Sequence, residues 1–159
     1  MLTTPKRALP PWLILLLVLC LTLPVSADGF SVAPQLPENQ REGVGGFFDL
    51  TVTPGQEQTL LVDLVNISQT EDLTVTVDLF TATTNSNGIV NYGSPGISDE
   101  SLTHSIEDIA STPERTIVVP PGETVEVPVT ITAPQEAFEG YLLCGINFNK
   151  AISETEPAE

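Results

Sequence analysis

Apolar and polar residues alternate over short runs from Phe47 onward, and turn-forming residues separate one run from the next. Because successive side chains of an extended strand point to opposite faces, each run predicts a half-buried β-strand. The predicted strands cover 47–52, 60–65, 73–80, 89–92, 116–119, 125–131 and 141–148. About seven strands with regularly spaced turns are typical of an immunoglobulin-like antiparallel β-sandwich, so the predicted fold class is all-β.

Several connections between these runs combine proline, asparagine and glycine, which favour chain reversal. They are Pro54-Gly55, 84–88, 120–123 and 138–140. Pro128 lies on the outward register of the strand 125–131. Since proline has no amide hydrogen to donate, that strand is expected at a sheet edge. The residues before the first predicted strand, Phe30 to Pro34, are expected to form an extended arm.

The connection from Gly93 to Pro113 loses the alternation. Leu102, Ile106 and Ile109 are spaced to share one face of a short helix that follows Asp99. Two interpretations are open. Long loops on an all-β scaffold often carry function, and a short helix can equally cover one open end of a sandwich.

The N-terminal residues have the composition of a secretory signal. Lys6 and Arg7 precede an apolar run from Trp12 to Leu23, and Val25-Ser26-Ala27 supplies the small residues of a signal peptidase site. The apolar run is too short for a comfortable membrane span. Residues 1–27 are therefore expected to be a removed signal peptide, with an uncleaved N-terminal anchor as the alternative.

Removal of residues 1–27 leaves a length that suits one domain with one core, expected at 28–150. Residues 151–159 are polar and acidic, which predicts a disordered tail or a truncated linker. The whole chain has five basic and 21 acidic residues, and two of the basic residues lie in the predicted signal. So acidic a mature chain excludes nucleic acid as a partner. Anionic wall polymers and lipid head groups are also repelled at long range, unless divalent cations bridge them.

Cys144 is the one cysteine that remains after the predicted signal is removed. No intramolecular disulfide can therefore stabilise the fold, and stability must come from the core. Cys144 shares the alternating register of Leu142, Ile146 and Phe148, which is expected to face inward. It is accordingly interpreted as a small buried apolar residue.

The residue types present argue against an enzyme. His104 is the only histidine, which excludes a His-rich metal site, and it is expected to be a solvated loop residue. Ser101 or Ser105 with Asp108 would lie on one flexible segment, where a catalytic triad does not hold its geometry. The neighbouring carboxylates of the loops lack the fixed separation of a glycosidase pair and the spacing of a calcium loop. The predictions are therefore no catalytic residue, no metal site and no cofactor.

Short motifs follow one another in a recognisable order along the chain. They are Leu36 to Gln40, Phe47 to Leu50, Pro54 to Gln56, Asn66, Ala82 to Asn85, Asn87-Gly88, Tyr92 and Phe138 to Gly140. In order and spacing this series resembles the peptidoglycan-binding domain of the WxL-interacting proteins of Gram-positive bacteria. The resemblance extends from about Phe30 to Phe148, nearly all of the chain after the predicted signal.

This resemblance implies a non-catalytic cell-surface protein that binds peptidoglycan through an immunoglobulin-like domain and acts with WxL-domain proteins. The implied location is secreted and associated with the Gram-positive cell wall. Members of the family continue into a second sandwich domain, a transmembrane helix and a basic tail, and this chain ends before all three. An inactive truncated fragment of a longer membrane-anchored protein is therefore an alternative. Membrane association is expected only if the N-terminal segment stays uncleaved or a lost C-terminal helix is restored.

Four side chains are candidate ligand-binding residues for such a domain. Tyr92 and Tyr141 can stack on the apolar faces of sugar rings, while Asn39 and Gln40 can hydrogen-bond sugar hydroxyls and peptide amides. Structural interpretations are open as well. The tyrosines can simply pack, and Asn39 can satisfy backbone groups of the arm. Amino groups of peptidoglycan stem peptides would meet the acidic surface favourably.

A second functional hypothesis is a protein-interaction module that pairs through an exposed sheet edge. It rests on Pro128, which marks an edge, and on the extended arm at Phe30 to Pro34. A wall hydrolase is a third hypothesis, and it rests on the implied location alone.

Overall fold

The computed structural model describes residues 29–96 and 102–151. The predicted signal, the stretch 97–101 with Asp99 and Ser101, and residues 152–159 of the predicted tail lie outside the described residues. In chain order the described elements are β1 (Phe30–Gln35), β2 (Glu57–Asn66), β3 (Leu73–Thr81), β4 (Thr83–Thr84), β5 (Val90–Asn91), α1 (Ile106–Ile109), β6 (Ala110–Ser111), β7 (Thr116–Val119), β8 (Thr124–Thr132) and β9 (Cys144–Lys150). The all-β prediction is confirmed. Within these residues no helix has the length and apolar character needed to cross a membrane.

Two antiparallel sheets form a β-sandwich. One sheet has the strand order β1-β2-β8-β6, and the other has the order β7-β3-β9. β2 and β8 pair over nearly their whole length, from Glu57 opposite Thr132 to Val65 opposite Thr124. β3 pairs with β7 at its start and with β9 from Val75 onward. The two sheets together contain seven of the described strands. Five of them fall in predicted strands, whereas the sequence does not predict β1 and β6 as strands, and the predicted strands 47–52 and 89–92 are not in these sheets.

The core lies where the alternating apolar faces of β2, β3 and β8 meet. Val62, Leu64, Val75, Val77 and Val127 are all at most 3% exposed, and each is separated from the next inward residue by one outward residue. Burying an aliphatic side chain of this size contributes about 1.5–3 kcal/mol. The alternation that predicts these strands therefore also builds the interior.

The segment 47–52 is not a strand, so that prediction is wrong. A single isolated bridge, between Leu50 and Gln40, is its only ladder contact among the described residues. Gly43 and Gly46 precede it with φ angles of 79° and 81°, a backbone region that favours glycine. The chain therefore turns back on itself here, and the apolar alternation belongs to an irregular loop.

The predicted extended arm is instead a paired edge strand. β1 runs antiparallel to β2, from Phe30 opposite Asn66 to Gln35 opposite Leu61. Alternation does not reveal this strand because Ala33-Pro34 interrupts the pattern. Proline is tolerated there because β1 lies at the edge of its sheet.

The last strand begins at Cys144, three residues later than Tyr141, where the sequence predicts its start. The reason lies in its partner. β3 ends at Thr81, which lies opposite Cys144, so residues 141–143 have no strand beside them to pair with. The Leu143 carbonyl accepts a hydrogen bond from the Ala82 amide at 2.8 Å, which holds the chain at the sheet end.

The long connection contains one helical turn, shorter than the predicted helix face. Ile106 of α1 is 6% exposed, and its amide donates to the Thr81 hydroxyl at 2.8 Å. Leu102 precedes the helix and is 40% exposed, so it does not share the buried face. β6 follows directly and pairs with Thr130 and Ile131 of β8. The connection thus covers this end of the sandwich, which favours the structural interpretation of the helix.

Pro128 lies where β8 has no neighbour on its outer side. β6 reaches only Thr130 and Ile131, so residues 124–129 pair with β2 alone within the described part of the chain. The predicted edge position therefore holds for the part of the strand that contains Pro128, while β8 as a whole lies between β2 and β6 in its sheet. A groove of ≈ 240 Å³ lies between this edge and β7, and its lining includes Glu114, Ile117 and Val125.

The two ends of the sandwich have different connections. At one end, here called the loop end, lie the long connections 36–56, 82–96 with 102–109, and 133–143. At the other, here called the terminal end, lie the short connections 67–72 and 120–123. Both ends of the described chain are also there, because Phe30 lies opposite Asn66 and the Ala151 amide donates to the Thr74 carbonyl.

Candidate binding surface

Exposed large apolar side chains concentrate at the loop end. The exposed ones there are Leu36, Phe47, Val52, Ile89, Val90, Tyr92, Leu102, Phe138, Tyr141 and Leu143. Elsewhere in the described chain only Val32, Ile67 and Val118 are similarly exposed. Apolar side chains grouped on an exposed surface are typical of binding sites. The loop end is therefore the candidate binding surface.

Tyr141 is the most exposed large apolar residue of this surface, with 77% of its area accessible. The guanidinium carbon of Arg41 lies 5.9 Å from the centre of its ring, within the range of a cation–π contact. This contact joins the connection 133–143 to the connection 36–56. Tyr141 therefore does not pack in the interior, and its ring is available to a ligand.

Phe138 joins the same connection to the segment 102–109. Its ring centre lies 5.5 Å from that of His104, and the two planes are tilted by 49°. His104 is half-buried, whereas the sequence predicts a solvated residue. The two ring contacts together place the connection 133–143 between its neighbours, in the middle of the loop end.

Asn39 is held by protein partners. It exchanges two hydrogen bonds with Gln58, each 2.9 Å long, because each side-chain amide donates to the oxygen of the other. Its nitrogen also donates to the Thr51 carbonyl at 3.1 Å. Asn39 thus bonds one backbone carbonyl of its own connection and a side chain of β2, not the backbone of the arm. Its direct contact with a ligand stays a prediction.

Gln40 has a similar position in the connection 36–56. Its amide nitrogen donates to the Val44 and Phe47 carbonyls at 3.2 and 3.1 Å, and its oxygen accepts from the Asp49 amide at 3.0 Å. Both polar atoms of the side chain are thus engaged. Gln40 shapes the segment that carries Arg41, and its direct contact with a ligand stays a prediction.

Tyr92 is 43% exposed and lies against β9. Its carbonyl accepts a hydrogen bond from the Asn147 side chain at 2.8 Å. A Cβ atom at Gly145 would come within 2.1 Å of that carbonyl, so glycine is required for this close approach. The described contacts therefore tie Tyr92 to β9, while those of Tyr141 tie it to Arg41.

Glu107 and Cys144 lie at the base of the loop end, beside Thr81. The Glu107 carboxylate accepts hydrogen bonds from both the amide and the hydroxyl of Thr81. Partial burial alone would raise the pKa of Glu107, but these hydrogen bonds to the ionised form hold it below its usual value. Burial raises the pKa of the Cys144 thiol, and the negative charge of Glu107 raises it further. Cys144 thus stays a protonated thiol, which is a poor nucleophile.

The side chains near His104 do not form a catalytic arrangement. The Ser105 hydroxyl donates to the Asp108 carboxylate at 2.7 Å, while the His104 ring contacts Phe138. In the described stretches, no three His, Cys, Asp or Glu side chains come together in a group that could hold a metal ion. The chemistry that this surface offers is hydrogen bonding, ring stacking and charge.

Arg41 is the member of this surface that the sequence analysis missed. A signal for it exists, because Arg41 is one of only three basic residues after the predicted signal peptide and directly follows Gln40. Its neighbour Tyr141 lies one hundred positions further along the chain. Alternation along the chain carries no information about such a contact between two loops.

Comparison with known protein families gives one match. Residues 30–150 match the WxL Interacting Protein, peptidoglycan binding domain, which confirms the resemblance predicted from the sequence. Searches of curated proteins and of solved structures found no match to this chain. The family supports a cell-wall-binding module at the cell surface. Since the match covers most of the chain, the chain belongs to the WxL-interacting protein family through its peptidoglycan-binding domain.

Proposed function

We propose that this chain is a non-catalytic module that binds peptidoglycan through the loop end. The observation that carries the proposal is the exposed Tyr141 ring with Arg41 beside it, in the middle of a surface rich in exposed apolar side chains. Tyrosine faces stack on the apolar faces of sugar rings. The family match supports peptidoglycan as the polymer that is bound.

The position of this surface supports the same function. Both ends of the described chain lie at the terminal end, on the far side of the sandwich from Tyr141. A neighbouring domain or an anchor attached there would leave the loop end free to reach the wall. The proposal includes export by removal of residues 1–27 and a single domain at 28–150.

The charge distribution supports a glycan or peptide ligand over an anionic polymer. The loop end carries exposed carboxylates at Glu38, Glu42, Glu136 and Glu139. These would repel the phosphates of anionic wall polymers and attract the amino groups of stem peptides at distances below the Debye length, which is about 8 Å at physiological salt. Uncharged sugar rings meet no such barrier.

Catalysis is no part of the proposal. Glu107 is engaged by Thr81, the Cys144 thiol is protonated, and Ser105 is bonded to Asp108. None of these three described groups is therefore arranged as an activated nucleophile beside a histidine or lysine base. Incubation with cell walls should release no soluble fragments, and measurable release would overturn this part of the proposal.

Co-sedimentation with purified peptidoglycan tests the binding function. We expect residues 28–159 to pellet with peptidoglycan at low and moderate salt, and we expect the Tyr141→Ala variant to remain mostly in the supernatant. Ile67→Ala is the matched control, because Ile67 is 42% exposed but lies at the terminal end. Equal pelleting of all three proteins would show that the loop end is not the binding surface. If the unmodified chain stayed in the supernatant at low and moderate salt, peptidoglycan binding itself would be overturned.

The open edge of β7, which faces the edge beside Pro128 across the groove, favours a second function, the binding of a WxL-domain protein. β7 is the edge strand of its sheet, and the exposed Val118 side chain and the groove between β7 and β8 lie along it. An extended segment of a partner could add to this edge as a further strand. Pull-down of a WxL-domain protein should be reduced in Val118→Lys, because a lysine on an edge opposes strand addition. If this variant captured the WxL-domain protein unchanged, the partner would bind another surface.

A further inference from the structure

We propose that Arg41 and Tyr141 form a subsite for a carboxylate attached beside a sugar ring. The inference rests on the proposed function and names the chemical group that the loop end recognises. The sugar ring of the ligand would stack on the exposed part of the Tyr141 side chain. The carboxylate of the ligand would accept hydrogen bonds from the Arg41 guanidinium. In peptidoglycan, carboxylates of this kind belong to the peptide stems that the sugars carry.

The orientation of Arg41 is fixed from within its own connection. Its guanidinium donates to the Asp49 carboxylate at 3.0 Å, and its backbone amide donates to the Asp49 carbonyl at 2.8 Å. The Asp49 amide in turn donates to Gln40. Three hydrogen bonds thus hold the arginine over the Tyr141 ring. Less conformational entropy is then lost when Arg41 is ordered by a ligand.

Arg41 keeps donors for a ligand. A guanidinium has five N–H groups in a rigid fork, and the described contact with Asp49 uses one nitrogen, Nη2. The Arg41 side chain is 54% exposed, whereas that of Asp49 is 21% exposed. Part of the fork is therefore open to solvent above an exposed aromatic ring. A guanidinium with free N–H groups can form two parallel bonds to a carboxylate.

The surrounding charge makes this position specific. Arg41 is the only basic residue in the connections 36–56, 82–109 and 133–143, which hold Glu38, Glu42, Glu136 and Glu139 among their acidic residues. A carboxylate anywhere else on this surface would meet like charge. A ligand that carries a carboxylate can therefore bind favourably in one orientation, with its acid group at Arg41, and its amino groups can lie towards the glutamates.

The test compares soluble ligands that differ in one feature. The probes are a disaccharide-peptide fragment with free carboxylates, the same fragment with its carboxylates amidated, and a neutral chitin oligosaccharide. Titrations followed by NMR should show that the unmodified protein binds the acid form about tenfold more tightly than the amide form, as expected for one charge-assisted pair. The neutral oligosaccharide should bind weakly through Tyr141 alone.

Substitutions assign that preference to Arg41. In Arg41→Gln the acid and amide forms should bind equally, while Arg41→Lys should keep part of the preference because it retains the charge without the fork. Arg115→Gln is the matched control, since Arg115 is also an exposed arginine paired with an aspartate, Asp78. It should leave the preference unchanged. Thermal unfolding of each variant shows whether the fold is kept.

The outcomes separate this inference from the proposed function. Equal binding of the acid and amide forms by the unmodified protein would overturn the subsite while leaving peptidoglycan binding intact. If Arg41→Gln lowered the affinity for all ligands by the same factor, Arg41 would only support the loops. That result would also overturn the subsite. If neither the soluble fragments nor intact peptidoglycan bind, the proposed function and this inference fail together.

Discussion

The terminal end and the loop end of this sandwich differ in how their polar groups are used. At the terminal end, Asn66 is 1% exposed, and its side-chain nitrogen donates to the carbonyls of Glu71, Val119 and Pro120. Its oxygen accepts from the Ser68 amide. One buried side chain thus joins both short connections, so this end is built for stability.

The loop end spreads its contacts over many exposed groups. Its connections are held by the Asn39–Gln58 pair, the Gln40 bonds and the two ring contacts, all at least partly accessible to solvent. A buried network is costly to break, whereas an exposed one leaves groups free to bind. The buried network and the proposed recognition surface thus lie at opposite ends of one scaffold.

The largest expected effect is a loss of folding stability on substitution of Asn66 at the terminal end. Asn66→Ala removes the donor from three carbonyls and should lower the free energy of unfolding by about 3 kcal/mol. Urea denaturation measures the change. Asn149→Ala is the control, because Asn149 is exposed, and it should change stability by less than about 0.5 kcal/mol. Similar losses in both variants would contradict the role given to Asn66.

Tyr141→Ala should separate binding from stability at the loop end. The ring is 77% exposed, so its removal should change the free energy of unfolding by less than about 0.5 kcal/mol. Affinity for peptidoglycan fragments should fall by about tenfold, since a stacked aromatic contact contributes roughly 1 kcal/mol or more. Isothermal titration and urea denaturation of the same samples check both values. A large loss of stability would mean that Tyr141 is structural.

The hydrogen-bonded side chains of Asn39 and Gln58 should make a smaller contribution to stability, and the effects of the two substitutions should not be additive. Asn39→Ala and Gln58→Ala should each cost about 1 kcal/mol, because each removes hydrogen bonds that are only part-buried. The double variant should cost less than the sum, since the pair is lost in either single variant. Strict additivity in a double-mutant cycle would show that the two amides do not interact. A loss of ligand binding without loss of stability in Asn39→Ala would restore the binding prediction for Asn39.

The smallest expected effect is the contribution of Glu107 to the pH dependence of folding stability. Because the Thr81 hydrogen bonds depress its pKa in the folded state, the ionised Glu107 stabilises the fold above its usual pKa of 4.5, and this contribution is lost as the pH falls through the folded pKa. The group is largely solvated, so the effect is roughly 0.5 kcal/mol or less. Glu107→Gln should therefore be slightly less stable than the unmodified chain at pH 7 and equal to it at pH 3. Glu139→Gln is the control, and an identical pH profile for both variants would contradict the Thr81 contact.

The sequence predicts the sandwich well because its core depends on alternation. The runs 60–65, 73–80 and 125–131 are strands, since each buries every second residue against the facing sheet. The run at 47–52 shows the limit of this argument. It has the same alternation, but the glycines before it turn the chain, and no strand of the described residues pairs with it beyond one isolated bridge.

The candidate site is less predictable than the fold. Tyr92 and Tyr141 are both exposed at the loop end, but only the three-dimensional contacts distinguish them, because Tyr92 is tied to β9 and Tyr141 to Arg41. Asn39 and Gln40 have the residue types of a sugar site, and in the fold they hold their own connection. A pattern read along one chain identifies buried faces, while a site built by two distant loops needs the contact between them.

Chemical-shift mapping with soluble peptidoglycan fragments would locate the binding surface residue by residue. We expect the amide signals that move on titration to belong to residues 38–50 and 136–143, while those of 67–72 and 120–123 stay in place. Movement confined to the terminal end or to the edge beside Pro128 would contradict the assignment of recognition to the loop end.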